Sequence, residues 1–456
     1  MTTRASCLVF LALFSSSILL PSLFGQGISP YPNAITDRLI HPETPKLPPP
    51  VNVVFRDPDF HSRMVRATDA TTNFRLPGTY LRTAGDSSGN EWSSDSRKFY
   101  VLAKGGQLLA FAFNPSTMAI SALPNAGGKG LLLPLRQGTF SFVDPDLIYG
   151  TTSKDPLTIK SYRFSTGVST PIINTRNCGV QPPLGSGPSV VSDDDVNLSL
   201  SENRVSISEG GPQFGSHMFV VVYDKKLGCR WYNTQTAQIG GQWGTSGYAS
   251  VSSPYLIRHA HLSRDGNYVV IAASRFGWYV WDLSTLHVTA CPESSHLQCD
   301  GYGALGYHTK INGPGVLDDM QVVKRPLNNL ANITQLYYPI PSPSNWGQPL
   351  HFTWNNINVN DSAPICGSTY SYDGDPAIDQ PYAGEIFCIE TDGKASTIWR
   401  FAHNRAKYIY PYFQTQPLGT VSRDGRFYLF TSDWDAQLGL GPDGWPRSDV
   451  FIVKLE

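Results

Sequence analysis

The chain has 456 residues, of which 41% are hydrophobic and 16% are charged, and its formal net charge is -1. A chain of this length and composition can bury a large core, which excludes an intrinsically disordered protein. The nearly neutral charge argues against a general binder of nucleic acid or of anionic membranes.

The chain begins with the features of a secretory signal peptide. Arg4 precedes an apolar run from Cys7 to Phe24, and Gly25 offers a small residue near a cleavage point. We therefore assign residues 1–25 to a signal peptide and expect a secreted or periplasmic protein. No later stretch is apolar and long enough to span a bilayer.

The remaining chain divides into a short leader and one long domain. Residues 26–52 are rich in proline and polar residues, which predicts a leader that wraps the surface rather than a folded module. From residue 53 to residue 456 the composition is uniform, with many glycines, prolines and aromatic residues and without helical periodicity. This pattern predicts an all-β domain.

The stretch 258–289 shows a repeating unit most clearly. His259 and His261 lie at period two, so they share one face of an extended segment. Asp265 and Gly266 form a tight-turn pair, and an apolar strand, an aromatic strand and a further turn follow. Four short strands joined by turns describe one blade of a β-propeller.

The same pattern occurs seven times, at a spacing of roughly 40–65 residues. The units contain, in chain order, Trp92, Phe140, Leu198, His259, Gly306, His351 and Val421 near the start of their first strand. The sequence thus predicts a seven-bladed β-propeller of four-stranded antiparallel blades. The last unit ends after its third strand, and residues 63–68 would supply the missing strand and close the ring.

Six of the seven cysteines remain after removal of the signal peptide. An even number of cysteines in an exported chain suggests disulfides, although spacing alone leaves many pairings open. One pairing places a bridge in a loop between blades, one within a blade, and one between the remaining two cysteines: Cys291–Cys299, Cys366–Cys388 and Cys178–Cys229.

The turn sequences carry a family resemblance. Ser263-Arg-Asp-Gly266 and Ser422-Arg-Asp-Gly425 resemble the Ser-Pro-Asp-Gly hairpin of TolB-type, WD-repeat-like propellers. The architecture is also similar to that of oligogalacturonate lyase-type propellers, which are secreted or periplasmic. Their site uses several histidines and a glutamine around a divalent metal, with a histidine base and an arginine nearby. The resemblance, which is one of architecture and residue type, implies a divalent metal. We expect Mn, Zn or Ca as that metal, and otherwise no cofactor.

Candidate site residues lie near the starts of the first strands, where ring closure would bring them to one mouth of the central channel. Imidazoles suit both metal binding and proton abstraction, and an arginine suits a uronate carboxylate. We assign catalytic roles to His259, Arg258 and Tyr307, metal binding to His261, His308, His351 and Gln416, and substrate binding to Trp354, Asn355, Trp92 and His403.

These residues predict an exported carbohydrate-active propeller, a metal-assisted lyase that cleaves a uronate-containing polysaccharide by β-elimination. The alternative is a non-catalytic TolB-like binding or scaffold propeller of the cell envelope or surface, in which the same histidines pack between blades. The partner would be an extracellular glycan in the first case and an envelope protein in the second. Neither case involves nucleic acid or a membrane span, and we expect a monomer.

Overall fold

A computed structural model of the chain describes residues 30–85, 90–180, 196–210, 216–251, 254–274, 277–291, 294–298, 301–311, 317–337, 350–370, 381–392, 397–409 and 411–456. For residues 294–298, 305–311, 317–321, 335, 337 and 350 it describes the backbone alone. The predicted signal peptide, residues 1–25, lies outside the described residues.

The described chain folds into seven antiparallel sheets that follow one another in sequence, the blades of a β-propeller. In the described part of the chain, two short 3-10 helices, Thr175–Cys178 and Phe413–Thr415, lie between strands. Within the described ranges, no helix has the length and apolar character needed to cross a lipid bilayer. The predicted fold class is confirmed.

The strands of the first three blades run from the channel outwards. Blade 1 contains β3 (Leu81–Arg82), β4 (Lys98–Ala103), β5 (Gln107–Asn114) and β6 (Ala119–Ala122), with β7 (Leu131–Leu132) added to β5. Blade 2 contains β8 (Arg136–Phe140), β9 (Leu147–Thr152), β10 (Asp155–Arg163) and β11 (Val168–Asn174). Blade 3 contains β12 (Asn197–Leu198), β13 (Arg204–Glu209), β14 (Phe219–Asp224), β15 (Gly228–Asn233), β16 (Gln238–Gly241) and β17 (Gly247–Tyr248).

The next three blades have four strands each. Blade 4 contains β18 (Ile257–Leu262), β19 (Tyr268–Ala273), β20 (Trp278–Asp282) and β21 (Val288–Cys291). Blade 5 contains β22 (Ser294–Gln298), β23 (Gly303–Ile311), β24 (Leu317–Pro326) and β25 (Thr334–Tyr337). Blade 6 contains β26 (Leu350–Thr353), β27 (Ile365–Thr369), β28 (Glu385–Ile389) and β29 (Ile398–His403).

Blade 7 joins the two ends of the chain. Its strands are β30 (Gly419–Val421), β31 (Phe427–Ser432), β32 (Asp449–Lys454), β2 (Arg63–Arg66) and β1 (Val54–Arg56). Met64 pairs with Val453 and Val65 with Ile452, and all four side chains are fully buried. The predicted closure of the ring by an N-terminal strand is therefore confirmed.

The hairpin after the innermost strand has the same construction in blades 4 and 7. The Ser263 hydroxyl donates to Asp265 Oδ1 (2.6 Å), and Gly266 adopts a φ of 74°. Ser422 and Asp424 make the corresponding bond at 2.6 Å. Glycine adopts this left-handed backbone conformation at little cost, so the turn reverses the chain at the same place in both blades.

The core lies between neighbouring blades. Between blades 3 and 4, for example, Val220 and Val222 share one cluster with Leu262 and Ile271, all of them at most 1% exposed. Each such side chain contributes about 1.5–3 kcal/mol when it is fully buried. The β-branched and aromatic runs therefore form strands because both faces of every blade are covered.

The leader, residues 30–52 in the described chain, packs on the outer strand of blade 6. The Tyr31 ring lies edge-on to Trp399 and Phe401, at centroid distances of 5.3 and 5.1 Å. The buried Arg400 guanidinium donates to Asp37 Oδ1 (2.9 Å) and to Leu39 O (2.7 Å). The leader therefore shares apolar and ionic contacts with the propeller.

Two of the three predicted disulfides are confirmed. Cys178–Cys229 joins the end of blade 2 to blade 3, and Cys366–Cys388 joins neighbouring strands of blade 6. Cys299 lies outside the described residues, so its pairing with Cys291 stays a prediction. Two disulfides are compatible with an extracellular protein, since such bonds persist in oxidising compartments.

Candidate functional site

Two histidines lie on the innermost strand of blade 4, β18. Ala260 and Leu262 pack toward blade 3, so His259 and His261 face the other side of β18. Their ring centroids are 5.9 Å apart, and the side chains are buried, at 9% and 1% exposed. Arg258 is exposed. This strand therefore holds two adjacent imidazoles beside an exposed guanidinium.

A third histidine lies next to this pair. His217, in the segment before β14, forms an isolated bridge with Ile257 at the start of β18, and the Ile257 amide donates to His217 O at 2.8 Å. The His217 side chain is fully buried. In the sequence, His217 lies 40 residues before Ile257 and outside the positions that repeat from blade to blade. Only the pairing between blades places it here.

A second polar pair joins blades 6 and 7. His351 Nε2 lies 3.1 Å from Gln416 Oε1, and both residues are buried. Gln416 follows the 3-10 helix that leads into β30, while His351 lies on β26. The His351 ring stacks on Tyr370, with a centroid distance of 5.1 Å and an interplanar angle of 8°. Two residues that the sequence assigned to a metal thus come together across a blade boundary.

Tyr307 and His308 occupy a different strand from the one that the sequence predicts. Their side chains lie outside the described residues, but the backbone places both on β23, the second strand of blade 5. The innermost strand is β22, in which Ser294 pairs with His308. The sequence Ser-Ser-His-Leu-Gln of β22 lacks the β-branched and aromatic residues that mark strands, which explains the error in phase.

The two tryptophans assigned to sugar stacking need correction. Trp354 and Trp92 are both fully buried. The Trp354 indole donates to Ala363 O (2.6 Å), and the Trp92 indole donates to Thr420 O (3.3 Å). Because their faces are covered by core residues of adjacent blades, neither ring presents a surface to a glycan.

Asn355 and His403 also differ from their predicted setting. Asn355 links blade 6 to blade 1 instead of lining the strand-start mouth, since its side-chain amide donates to Asn90 Oδ1 (3.2 Å). His403 ends β29, the outermost strand of blade 6, and is 2% exposed. Its Nδ1 lies 3.1 Å from Asp59 Oδ2 and its Nε2 lies 3.0 Å from His41 O. His403 therefore contacts the N-terminal segment at the rim and not the channel.

The described residues contain one group of three close metal-binding side chains. It consists of Asp57, Asp59 and His403, whose ligand atoms all lie within 4.8 Å of one another. Burial raises the pKa of the Asp59 carboxyl, but hydrogen bonds from Thr44 and the charges of His403 and Arg405 outweigh that effect and lower the pKa overall. An ionised carboxylate beside an imidazole is a suitable donor set for a divalent metal.

The channel histidines form a looser arrangement. Within the described side chains, His259, His261 and His351 do not belong to a group of three close histidine, cysteine or carboxylate ligands. They form one imidazole pair on blade 4 and one imidazole–amide pair between blades 6 and 7. Imidazole nitrogen and amide oxygen are ligand atoms that suit Mn or Zn. The two pairs therefore offer suitable ligand atoms, but these atoms are divided between two places in the ring.

A buried carboxyl in blade 1 adds to the polar groups of the innermost segments. Glu91 is fully buried, and it accepts a hydrogen bond from the Ala84 amide. It precedes Trp92, whose backbone bridges to Phe99 on β4. The innermost segments of several blades thus bury imidazole, amide and carboxyl groups.

Comparison with known proteins supports the architecture. No family model matches the sequence, and no curated protein is similar to it in sequence. Oligogalacturonate lyase from Vibrio parahaemolyticus matches in structure with a TM-score of 0.53 at 13% identity, over 88% of this chain and 96% of that chain. An oligogalacturonate lyase in complex with manganese gives a TM-score of 0.53 at 12% identity, over 89% and 96%. The chain therefore resembles these lyases in its propeller fold.

Proposed function

We propose that the protein binds a uronate-containing glycan at the strand-start mouth of the channel and cleaves it by β-elimination. The observation that carries this proposal is the meeting of His351 and Gln416 across two blades, in the same ring as the buried pair His259 and His261. Buried imidazoles on a rigid set of strands are suited to proton abstraction and to metal binding.

Each residue has a defined part in this reaction. His259 takes the proton from the carbon next to the uronate carboxylate, and Arg258, which is exposed beside it, pairs with that carboxylate. The bond between the next carbon and the glycosidic oxygen then breaks, a carbon–carbon double bond forms, and the leaving oxygen takes a proton. Tyr307 is the proton donor predicted from the sequence.

A divalent cation would be held by His351 and Gln416, which are in contact, and His261 and His308 are the further ligands predicted from the sequence. When bound, such a cation neutralises the substrate carboxylate and so favours loss of the neighbouring proton. The manganese complex of an oligogalacturonate lyase with the same fold gives this choice of metal its support.

The test is the formation of unsaturated uronate, followed by ultraviolet absorbance, on oligogalacturonate, alginate and ulvan with added Mn²⁺ or with EDTA. We expect product with Mn²⁺, and a loss on the order of 100-fold or more in His259→Ala. His287→Ala is the matched control, because His287 is exposed on blade 4 and should leave the rate unchanged. Equal rates in the two variants would contradict the proposal.

One observation favours a second candidate, binding without catalysis. The group of three close metal ligands in the described chain lies at the rim, where His403 already contacts Asp59 and the His41 carbonyl. A propeller with this arrangement would bind a glycan or an envelope protein through its channel mouth. Calorimetric binding of a uronate oligomer without any unsaturated product would select this candidate.

A further inference from the structure

The hairpins that follow the innermost strands close the opposite end of the channel. Phe142 follows β8 of blade 2, Arg264 follows β18 of blade 4, and Arg423 follows β30 of blade 7. The guanidinium carbons of Arg264 and Arg423 lie 4.4 and 5.1 Å from the centroid of the Phe142 ring. Because these three blades are not neighbours in the ring, their side chains meet at its axis.

Other blades hold this assembly in place. The Arg264 amide donates to Gly301 O of blade 5 (2.9 Å), and the Leu200 amide of blade 3 donates to Arg264 O (2.7 Å). Arg264 Nε donates to Asn356 O of blade 6 (3.2 Å). A guanidinium stacked on an aromatic ring and held by the backbone presents its remaining donors in a fixed direction.

Arg423, whose side chain is half-buried, differs from the buried arginines of this protein. Arg66 pairs with the buried Asp449 carboxylate, and Arg400 pairs with Glu385, at 2.5 Å. Within the described residues, the hydrogen bond of Arg423 goes instead to the neutral Asn355 Oδ1, at 3.3 Å. Burial, and then the charge of Arg264, lower the pKa of Arg423 to about 9. An anion beside Arg423 would offset both the cost of burying its charge and the repulsion from Arg264.

A cavity of about 320 Å³ opens next to Arg423, between blades 6 and 7. Its lining combines polar side chains with apolar ones, among them Asn355, Arg426 and Ile357. A volume at the lower end of the range for ligand pockets limits the occupant to about one sugar ring. Asp424 also lines the cavity and disfavours a doubly charged phosphate relative to a single carboxylate.

We propose that this end of the channel binds a small sugar acid, with its carboxylate on the Arg423 guanidinium and its ring in the adjoining cavity. A guanidinium can form two parallel hydrogen bonds with a carboxylate, which an uncharged sugar lacks. The site shares no residue with the strand-start mouth, so the inference does not rest on the proposed reaction.

The test is calorimetric titration with D-galacturonate, D-galactose and inorganic phosphate. The His259→Ala protein in EDTA serves as the parent, so that turnover at the other mouth does not contribute heat. We expect galacturonate to bind, galactose not to bind, and phosphate to bind more weakly than galacturonate. Adding Arg423→Gln should weaken galacturonate binding at least about tenfold, and Arg423→Lys, which keeps the charge, should retain part of it.

Arg97→Gln is the matched control, because Arg97 is exposed on the corresponding hairpin of blade 1, outside the cavity. It should leave the galacturonate affinity unchanged. The thermal unfolding midpoint of each variant shows that it is folded. Equal affinity in the parent and in the folded Arg423→Gln protein would overturn the proposal, as would tighter binding of phosphate or of galactose.

Discussion

Glu209, the last residue of β13, is a fully buried carboxyl whose ionisation should destabilise the fold. Neither of its carboxyl oxygens accepts a hydrogen bond from any residue in the described part of the chain. The neighbouring Thr175 hydroxyl donates to Leu157 O, at 3.1 Å. Burial raises the pKa of Glu209 from 4.5 to about 8, although Thr175 and Arg176 lower it in part.

This shift makes stability depend on pH in a defined direction. Between pH 4.5 and pH 8 the folded protein keeps a proton on Glu209 that the unfolded chain has lost, so stability falls as the pH rises through this window. Each pH unit corresponds to about 1.4 kcal/mol, which gives an upper bound of about 5 kcal/mol above pH 8. Glu209→Gln keeps the shape of the protonated acid and does not ionise.

We therefore expect Glu209→Gln to be more stable than the wild type by less than about 1 kcal/mol at pH 5 and by up to about 5 kcal/mol at pH 9. The measurement is the free energy of unfolding in urea at both pH values, with the disulfides intact. Glu456→Gln is the control, because hydrogen bonds from Arg63 and Lys454 outweigh burial and lower the pKa of Glu456. That variant should gain no stability at either pH. A Glu209→Gln effect that is the same at pH 5 and pH 9 would refute the reasoning.

Two further predictions concern the closure of the ring and its rim. Deleting residues 53–70 removes β1 and β2 and exposes the edge of β32, so we expect soluble expression to be lost; soluble protein at the wild-type level would contradict this. Arg400→Leu leaves the buried Glu385 unpaired and should lower the free energy of unfolding by about 3–5 kcal/mol. Adding Glu385→Leu should restore part of that loss, and a further loss of the same size in the double variant would disprove the pairing.

The fold follows from the sequence because its determinants are local. A turn such as Ser263-Arg-Asp-Gly266 closes through its own side chains, as the bond from Ser263 to Asp265 shows. Apolar β-branched runs such as β19 specify strands buried on both faces. The role of β2 was also predictable, since a final unit with one strand too few requires a partner from the other end of the chain.

The candidate site was less predictable because it depends on how deeply each side chain is buried and on contacts between segments that are distant in sequence. The residue type of Trp354 does not reveal whether its face is covered, and the fold buries it completely. His403 precedes blade 7 in sequence, yet it ends an outer strand and contacts Asp59 of the N-terminal segment. The contact between His351 and Gln416 arises because His351 lies near the start of β26 and Gln416 lies just before β30, the innermost strand of the adjacent blade.

The repeat also explains why one ring offers different chemistry at its two ends. All innermost strands run in the same direction, so residues such as His351 and Gln416 before or at their starts lie at one end, and the Ser-x-Asp-Gly hairpins lie at the other. The turn needs the serine, aspartate and glycine, which leaves the second position without a role in the turn. In blades 4 and 7 that position carries Arg264 and Arg423, which meet on Phe142. The turn residues therefore fix the hairpin backbone, while the second position of the hairpin carries the side chain that we propose binds a ligand in blade 7.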